Sequence, residues 1–178
     1  LGSNCAISLS RAGIGNLVLA DFDVVSETNL DRQQYFRDQV GLLKVQALKE
    51  NIARIDPSIR VESHAIRLDS ESVRRIFSGC QVIVEAFDAP SAKTMILETV
   101  LEKMPSAWIV AASGLAGIGS LSDLRTIRRD RLILCGDFKS EVSEDNPPVA
   151  PRVAIVANME ADAVLEILLT PQPARRSV

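Results

Sequence analysis

Between Asp21 and Lys44 the sequence sets out side chains that could hold a nucleotide: two carboxylates (Asp21, Asp23), an amide and a guanidinium (Asn29, Arg32), then Gln33 and an ammonium (Lys44). Asp21 closes the apolar run Leu17-Val18-Leu19-Ala20. In an α/β protein the carboxyl end of a parallel strand is where ligands sit, and an acid there can grip the hydroxyls of a ribose. Asn29, Arg32 and Gln33 can donate to phosphate oxygens, the arginine through a bidentate fork. Gly41 is expected to open a helix with Lys44 in its first turn, where backbone N–H groups already favour an anion. Asp21 also follows Gly2 by 19 positions, close to the interval between a dinucleotide glycine fingerprint and its ribose-binding acid. Further along, Asp88 follows the apolar run Val82–Glu85, where a strand hands over to a helix. A carboxylate there suits Mg²⁺ held between phosphates, since that ion usually takes one or two carboxylates plus substrate oxygens. Each residue alone also has a plainer reading: a solvated strand end, a turn, an exposed loop or a surface lysine.

The elements that would position these groups follow from periodicity. Ala6, Ile7, Leu9 and Ala12 mark a helix closed by Gly13. A strand over 16–21 is followed, after the polar segment, by a helix with Leu43, Ala47, Ile52 and Ile55 on one face, stopped by Asp56-Pro57-Ser58. Strands are predicted at 60–66, 81–85 and 107–112, with helices at 70–77 and 91–103, the latter led by Pro90 in its first turn. The stretches 123–127 and 132–135 read as an antiparallel pair, 138–150 as a long loop with Pro147 and Pro148, and 152–169 as an apolar helix. The pattern predicts an α/β, Rossmann-like, doubly wound and mostly parallel sheet with helices on both faces and a short antiparallel extension in the C-terminal third. One domain over 1–178 is expected. A right-handed βαβ unit needs a strand before its first helix, so a first strand and a glycine-rich loop are expected ahead of Leu1.

Composition narrows the function. With 20 basic and 23 acidic residues the net charge is −3, which supplies no nucleic-acid surface or polybasic membrane patch. No apolar stretch is long enough to span a membrane, and no signal peptide is visible, so a cytoplasmic protein is expected. Cys5, Cys80 and Cys135 are three, widely spaced, and expected as small buried hydrophobes rather than a disulfide framework or a structural zinc site. His64, the one histidine, lies in an alternating strand pattern and reads as structural or surface.

The run L-G-S-N-C-A-I-S-L-S-R-A-G-I-G-N-L-V-L-A-D-F-D-V-V-S-E-T-N-L-D-R-Q resembles the ThiF/MoeB family, relatives of the ubiquitin-activating enzymes. The tail, G-D-F-K-S-E and then A-P-R-V-A-I-V-A-N-M-E, is most similar to the short ThiF-type adenylyltransferases of the sulfur-carrier protein ThiS. The resemblance implies an adenylyltransferase that binds ATP and Mg²⁺, adenylates the C-terminal Gly-Gly carboxylate of a small ubiquitin-like sulfur carrier in thiamine thiazole synthesis, and works as a homodimer. It implies that Asp21 holds the ribose, that Asn29, Arg32 and Lys44 contact phosphates with Gln33 shaping the site, and that Asp88 coordinates magnesium. Arg32, Lys44 and Asp88 are then the catalytic candidates, and Gly2 and Asp23 complete the cofactor-binding set. The sequence departs from the family in lacking its upstream glycines and arginine and its C-x-x-C pairs, and in reading F-D-A where relatives read T-D-N. Cys135 is the nearest candidate for a thioester or persulfide cysteine, by region rather than by spacing. A non-catalytic member that docks a ubiquitin-like protein is one alternative, and an NAD(P)-dependent oxidoreductase another. Adenylation of a molybdopterin carrier or a tRNA carboxylate is a third.

Overall fold

Gly13 takes φ +86° just past the first helix, α1 (Gly2–Arg11), in the left-handed position from which a glycine closes a helix. A computed structural model describes residues 1–170, so the end of the expected domain, 171–178, lies outside the described part. After α1 the chain alternates: β1 (Asn16–Ala20), α2 (Lys44–Ile55), β2 (Arg60–His64), α3 (Ser70–Ile76), β3 (Val82–Glu85), α4 (Pro90–Lys103) and β4 (Trp108–Ala112). A hairpin, β5 (Arg125–Arg129) and β6 (Leu132–Gly136), and a long final helix, α5 (Ala150–Leu169), complete it. The helix expected to open at Gly41 starts instead at Lys44. Gly41 lies in the preceding turn at φ +91° and donates its N–H to Val25 O.

Strands β1 and β2 pair in parallel, and β3, β4 and β6 form a second parallel ladder with β5 antiparallel at its outer edge. This is the expected class, including the antiparallel extension. Val18 and Ala20 of β1 pack into the cluster of Ile83, Ile96, Val100 and Ile109, while Leu17 and Leu19 meet Ala47, Leu48 and Ile52. The two ladders therefore share their helical layers, and every parallel strand presents its carboxyl end on one side. The inner edges of β1 and β3 pair with no strand among the described residues.

Local chemistry sets the boundaries. Asp69 caps α3 by accepting the Ser72 N–H, while the Ser72 hydroxyl accepts the Asp69 N–H. Pro90 starts α4, where its missing N–H costs nothing. The far end of α4 is closed from a distance: Arg131 donates to the carbonyls of Leu101, Met104 and Ala107. The apolar face of α5 (Val153, Val156, Ala157, Ala161, Val164) covers β4 and α1.

Glu160, midway along α5, is fully buried, and neither carboxylate oxygen has a hydrogen-bond partner. Burial, reinforced by the nearby Glu85 carboxylate, raises its pKa to about 8, from an ordinary 4.5. Between those values the folded protein keeps a proton that the unfolded one releases, so stability falls as pH rises through that window and levels off above it. Glu160→Gln should flatten this slope and stabilise the protein at pH 8, by about 2–4 kcal/mol, in urea unfolding across a pH series.

Candidate active site

Asp21 extends β1 by one residue: its N–H donates to His64 O of β2, and its Oδ1 accepts the Asp23 N–H at 2.9 Å. Burial pushes the Asp21 carboxyl up, opposed by that N–H and by the charge of Lys44, with Asp23 and Asp88 adding to the rise. Lys44 reaches this point because Val25 N–H donates to Leu42 O and the Lys44 N–H to Asp23 O, which folds the start of α2 back onto the strand end. Its Nζ then sits 2.8 Å from Asp23 Oδ2.

The segment carrying Asn29, Arg32 and Gln33 is stitched to the first turn of α1. Asn4 donates to Arg32 O (2.8 Å) and accepts from the Gln34 amide (2.7 Å), and Ser3 Oγ accepts the Gln34 N–H (3.1 Å). From behind, Asn51 donates to Gln34 O and exchanges hydrogen bonds with Gln39. Asn29 uses its carbonyl oxygen to cap the local turn, accepting the Ser26 N–H at 3.0 Å. Arg32 Nη1 contacts Asp31 Oδ1 at 2.7 Å and Thr28 O at 3.0 Å. The Gln33 backbone bonds to Asn29 O, which places it on the same segment.

Asp88 lies in the turn between β3 and α4. That turn passes close to α1, since a Cβ on Gly2 would stand 3.1 Å from the Ala86 Cβ. Its shape is set by Glu85, fully buried at the end of β3. One Glu85 oxygen accepts the Phe87 N–H (2.6 Å) and the other accepts from Lys93 Nζ (2.5 Å). Lys93 also donates to Ala112 O (3.2 Å), tying the turn to the end of β4. The turn that carries Asp88 meets α1 at Gly2, the segment that carries Arg32 meets it at Asn4, and the charges of Lys44 and Asp88 both act on Asp21. Asp21, Arg32, Lys44 and Asp88 thus converge on the N-terminus of α1, with Gly2, Asp23, Asn29 and Gln33 around them.

Over residues 1–177 the sequence matches the ThiF family. The protein belongs to the ThiF family. It is 33% identical over 123 residues to the adenylyltransferase and sulfurtransferase UBA4 of Eremothecium gossypii, covering 68% of this chain and 27% of that protein. To UBA4 of Yarrowia lipolytica it is 32% identical over 123 residues, covering 68% and 30%. The match thus spans less than a third of the length of these curated relatives. Among solved structures it is similar to E. coli tRNA N6-threonylcarbamoyladenosine dehydratase, TcdA, in complex with ATP, with a TM-score of 0.83 at 20% identity over 95% of this chain and 82% of that one. It is also similar to E. coli MccB with ATP, with a TM-score of 0.70 at 19% identity over 94% and 53%. These last two likenesses are of fold.

In this ThiF-family protein the residues that carry the resemblance are those that surround the start of α1. Sequence reasoning missed the group behind them: Ser3, Asn4, Gln34, Gln39, Asn51, Glu85 and Lys93. The one local signal was a glutamate closing an otherwise apolar strand, V-I-V-E, with a lysine in the first turn of the helix that follows. Among the described residues no three His, Cys, Asp or Glu side chains form a metal cage. A single carboxylate at Asp88 fits an ion that arrives already bound to a polyphosphate, as magnesium usually does. Cys5 and Cys135 are buried, as expected, with thiols pushed up mainly by burial, Cys135 to about 11, and Cys80 is half-buried. His64 pairs with Glu62 at the surface.

Proposed function

We propose that this ThiF-family protein adenylates the C-terminal Gly-Gly carboxylate of a small ubiquitin-like sulfur-carrier protein, ThiS-like, with MgATP as the second substrate. The observation that supports the reading best is the convergence of the segments carrying Asp21, Arg32, Lys44 and Asp88 on one helix N-terminus. A carboxylate oxygen of the carrier attacks the α-phosphorus, the bond from that phosphorus to the α,β-bridging oxygen breaks, and pyrophosphate leaves with the electron pair. No proton changes hands, so the protein's task is to neutralise and align two anions. Asp21 accepts the ribose hydroxyls. Arg32, Lys44 and the first-turn N–H groups of α1 hold phosphate oxygens, with Asn29 and Gln33 beside them, and Asp88 would hold the magnesium, which supplies further charge neutralisation.

A parallel strand between β1 and β3 would join the two ladders into one sheet, and a glycine loop following it would bring more backbone N–H groups to the phosphates. The protein acts as a cytoplasmic homodimer in thiamine thiazole synthesis on this reading. That no helix among the described residues is long and apolar enough to cross a membrane is compatible with it. The fold likeness to TcdA favours a second reading, activation of a tRNA carboxylate, but a net charge of −3 offers little to a phosphate backbone. Intact-mass analysis of the carrier after incubation with protein and MgATP tests the choice. An AMP adduct on a Gly-Gly-ended carrier supports the first reading, and no adduct on any carrier overturns it.

The Arg32 guanidinium pairs with Asp31, whose side chain is 65% exposed. A phosphate must replace that carboxylate. Asp31→Asn should therefore tighten MgATP binding by about threefold, the scale of an exposed ion pair, in isothermal titration. Unchanged or weaker binding would mean that Arg32 does not move to the nucleotide.

A further inference from the structure

Asp23 stands between two of the candidate residues and is bonded to both. Its N–H donates to Asp21 Oδ1 (2.9 Å), its carbonyl accepts the Lys44 N–H (2.9 Å), and its Oδ2 accepts from Lys44 Nζ (2.8 Å). The first two contacts belong to the backbone, and any residue with an N–H could keep them. Only the third depends on the carboxylate. The strand end and the start of α2 are also joined by main-chain pairing, since Val24 bridges Leu43 and the Val25 N–H donates to Leu42 O. The fold at this corner therefore does not need the Asp23 side chain. That side chain is 48% exposed, and an ion pair so open to water contributes little to stability.

What the carboxylate does is fix a lysine. The Lys44 side chain is 12% exposed, so its stem is covered and its ammonium is delivered to one place. A lysine is a point charge on a flexible four-carbon stem, and without a partner its head spreads over many rotamers. Asp23 Oδ2 is the acceptor that Lys44 Nζ has among the described residues. An ammonium carries three N–H donors, so two are left for phosphate oxygens while the third stays on Asp23. The pair of Arg32 and Asp31 differs, because those two are sequence neighbours and no contact ties Asp31 to another candidate residue. Asp23 is tied through its own backbone to Asp21 and to Lys44, which keeps its carboxylate in register with both.

We propose that Asp23 is a positioning residue: it touches no nucleotide, and it holds the Lys44 ammonium where charge develops on the phosphates in the transition state. This takes Asp23 out of the set that contacts the cofactor, where the family resemblance puts it. The step that Lys44 serves rests on the function proposed above; the hold on Lys44 does not.

Two measurements on the full-length protein test this. The first needs no activity: trace labelling with acetic anhydride, read by mass spectrometry of the peptide that carries Lys44, reports how far that amine is free of a partner. Asp23→Asn should acetylate at Lys44 about threefold faster than the wild type, the scale of one exposed ion pair, with the other lysines unchanged. The second is ATP–pyrophosphate exchange with a Gly-Gly carrier. Asp23→Asn should lower kcat by about tenfold to a hundredfold, the effect of a group misplaced by about an ångström, with the KM for MgATP and the melting temperature unchanged. Asp23→Glu gives Lys44 a carboxylate again, and should recover the slow acetylation and part of the rate. Unchanged acetylation of Lys44 in Asp23→Asn would overturn the proposal. So would a raised KM for MgATP at constant kcat, which would make Asp23 a nucleotide contact, or a raised Mg²⁺ requirement, which would make it a metal ligand. Faster acetylation beside undiminished exchange removes the positioning role and leaves the function standing. Faster acetylation, reversed by Asp23→Glu, in a protein that adenylates no carrier keeps the hold on Lys44 and removes the function.

Discussion

Arg32→Ala should cut carrier-dependent ATP–pyrophosphate exchange by about a hundredfold to a thousandfold, the usual consequence of removing one preorganised donor from a developing charge. The melting temperature should barely move. Arg32 makes two contacts, to an exposed Asp31 and to Thr28 O, and the segment that carries it is held through the Arg32 backbone carbonyl and Gln34, not through the guanidinium. The charge can therefore be deleted while its scaffold stays. Arg32→Lys should recover only part of the rate, because an ammonium cannot reproduce a two-pronged contact. Exchange rates beside thermal unfolding curves for the three proteins check this. A loss of rate that tracks a loss of melting temperature would make Arg32 structural.

Arg152→Ala is expected to act on the opposite quantity, destabilising the protein by about 3–5 kcal/mol because it strands a buried carboxylate. Asp137 sits at the end of β6 with its side chain 1% exposed. One oxygen accepts the N–H groups of Lys139 (2.9 Å) and Ser140 (2.8 Å), and the other takes Arg152. The backbone is fitted tightly around it. A Cβ on Gly114 would lie 2.0 Å from the Asp137 carboxylate, and Phe138 is forced to φ 62°. Burial alone would raise the Asp137 pKa, but the Ser140 and Lys139 N–H groups and Arg152 outweigh it and hold the carboxyl well below the ordinary 3.8. A depressed folded value contributes stability above the ordinary one and loses it as pH falls below. Urea unfolding should show wild-type stability declining below about pH 4, and the Arg152→Ala protein both weaker at neutral pH and less sensitive to acid. Equal stability at neutral pH would contradict the buried-pair account.

What was legible in the sequence was whatever is local. The alternation and apolar runs of the strands, Gly13 after α1, Pro90 at the head of α4 and Asp56-Pro57 after α2 are decided by neighbours a few residues away. The hairpin of β5 and β6 belongs with them. Asp21 and Lys44 were legible as positions on elements, one ending a strand and one entering a helix. The exact start of α2 was not, because the pairing of Val25 with 41–42 that displaces it joins residues far apart in the sequence. The same holds for the polar framework. Asn4 with Gln34, Glu85 with Lys93, and Asp137 with Arg152 are pairs whose partner is supplied by the fold. Arg131 shows the difficulty well: within R-R-D-R it reads as an exposed basic turn, yet it closes the end of α4.

The most direct test of the account is ATP–pyrophosphate exchange with Mg²⁺, measured with and without a carrier ending in Gly-Gly, on the wild type and on Asp88→Ala. Exchange that requires the carrier and falls at least a hundredfold in the variant is the result the convergent site predicts. Carrier binding without exchange, or exchange indifferent to Asp88, would contradict it.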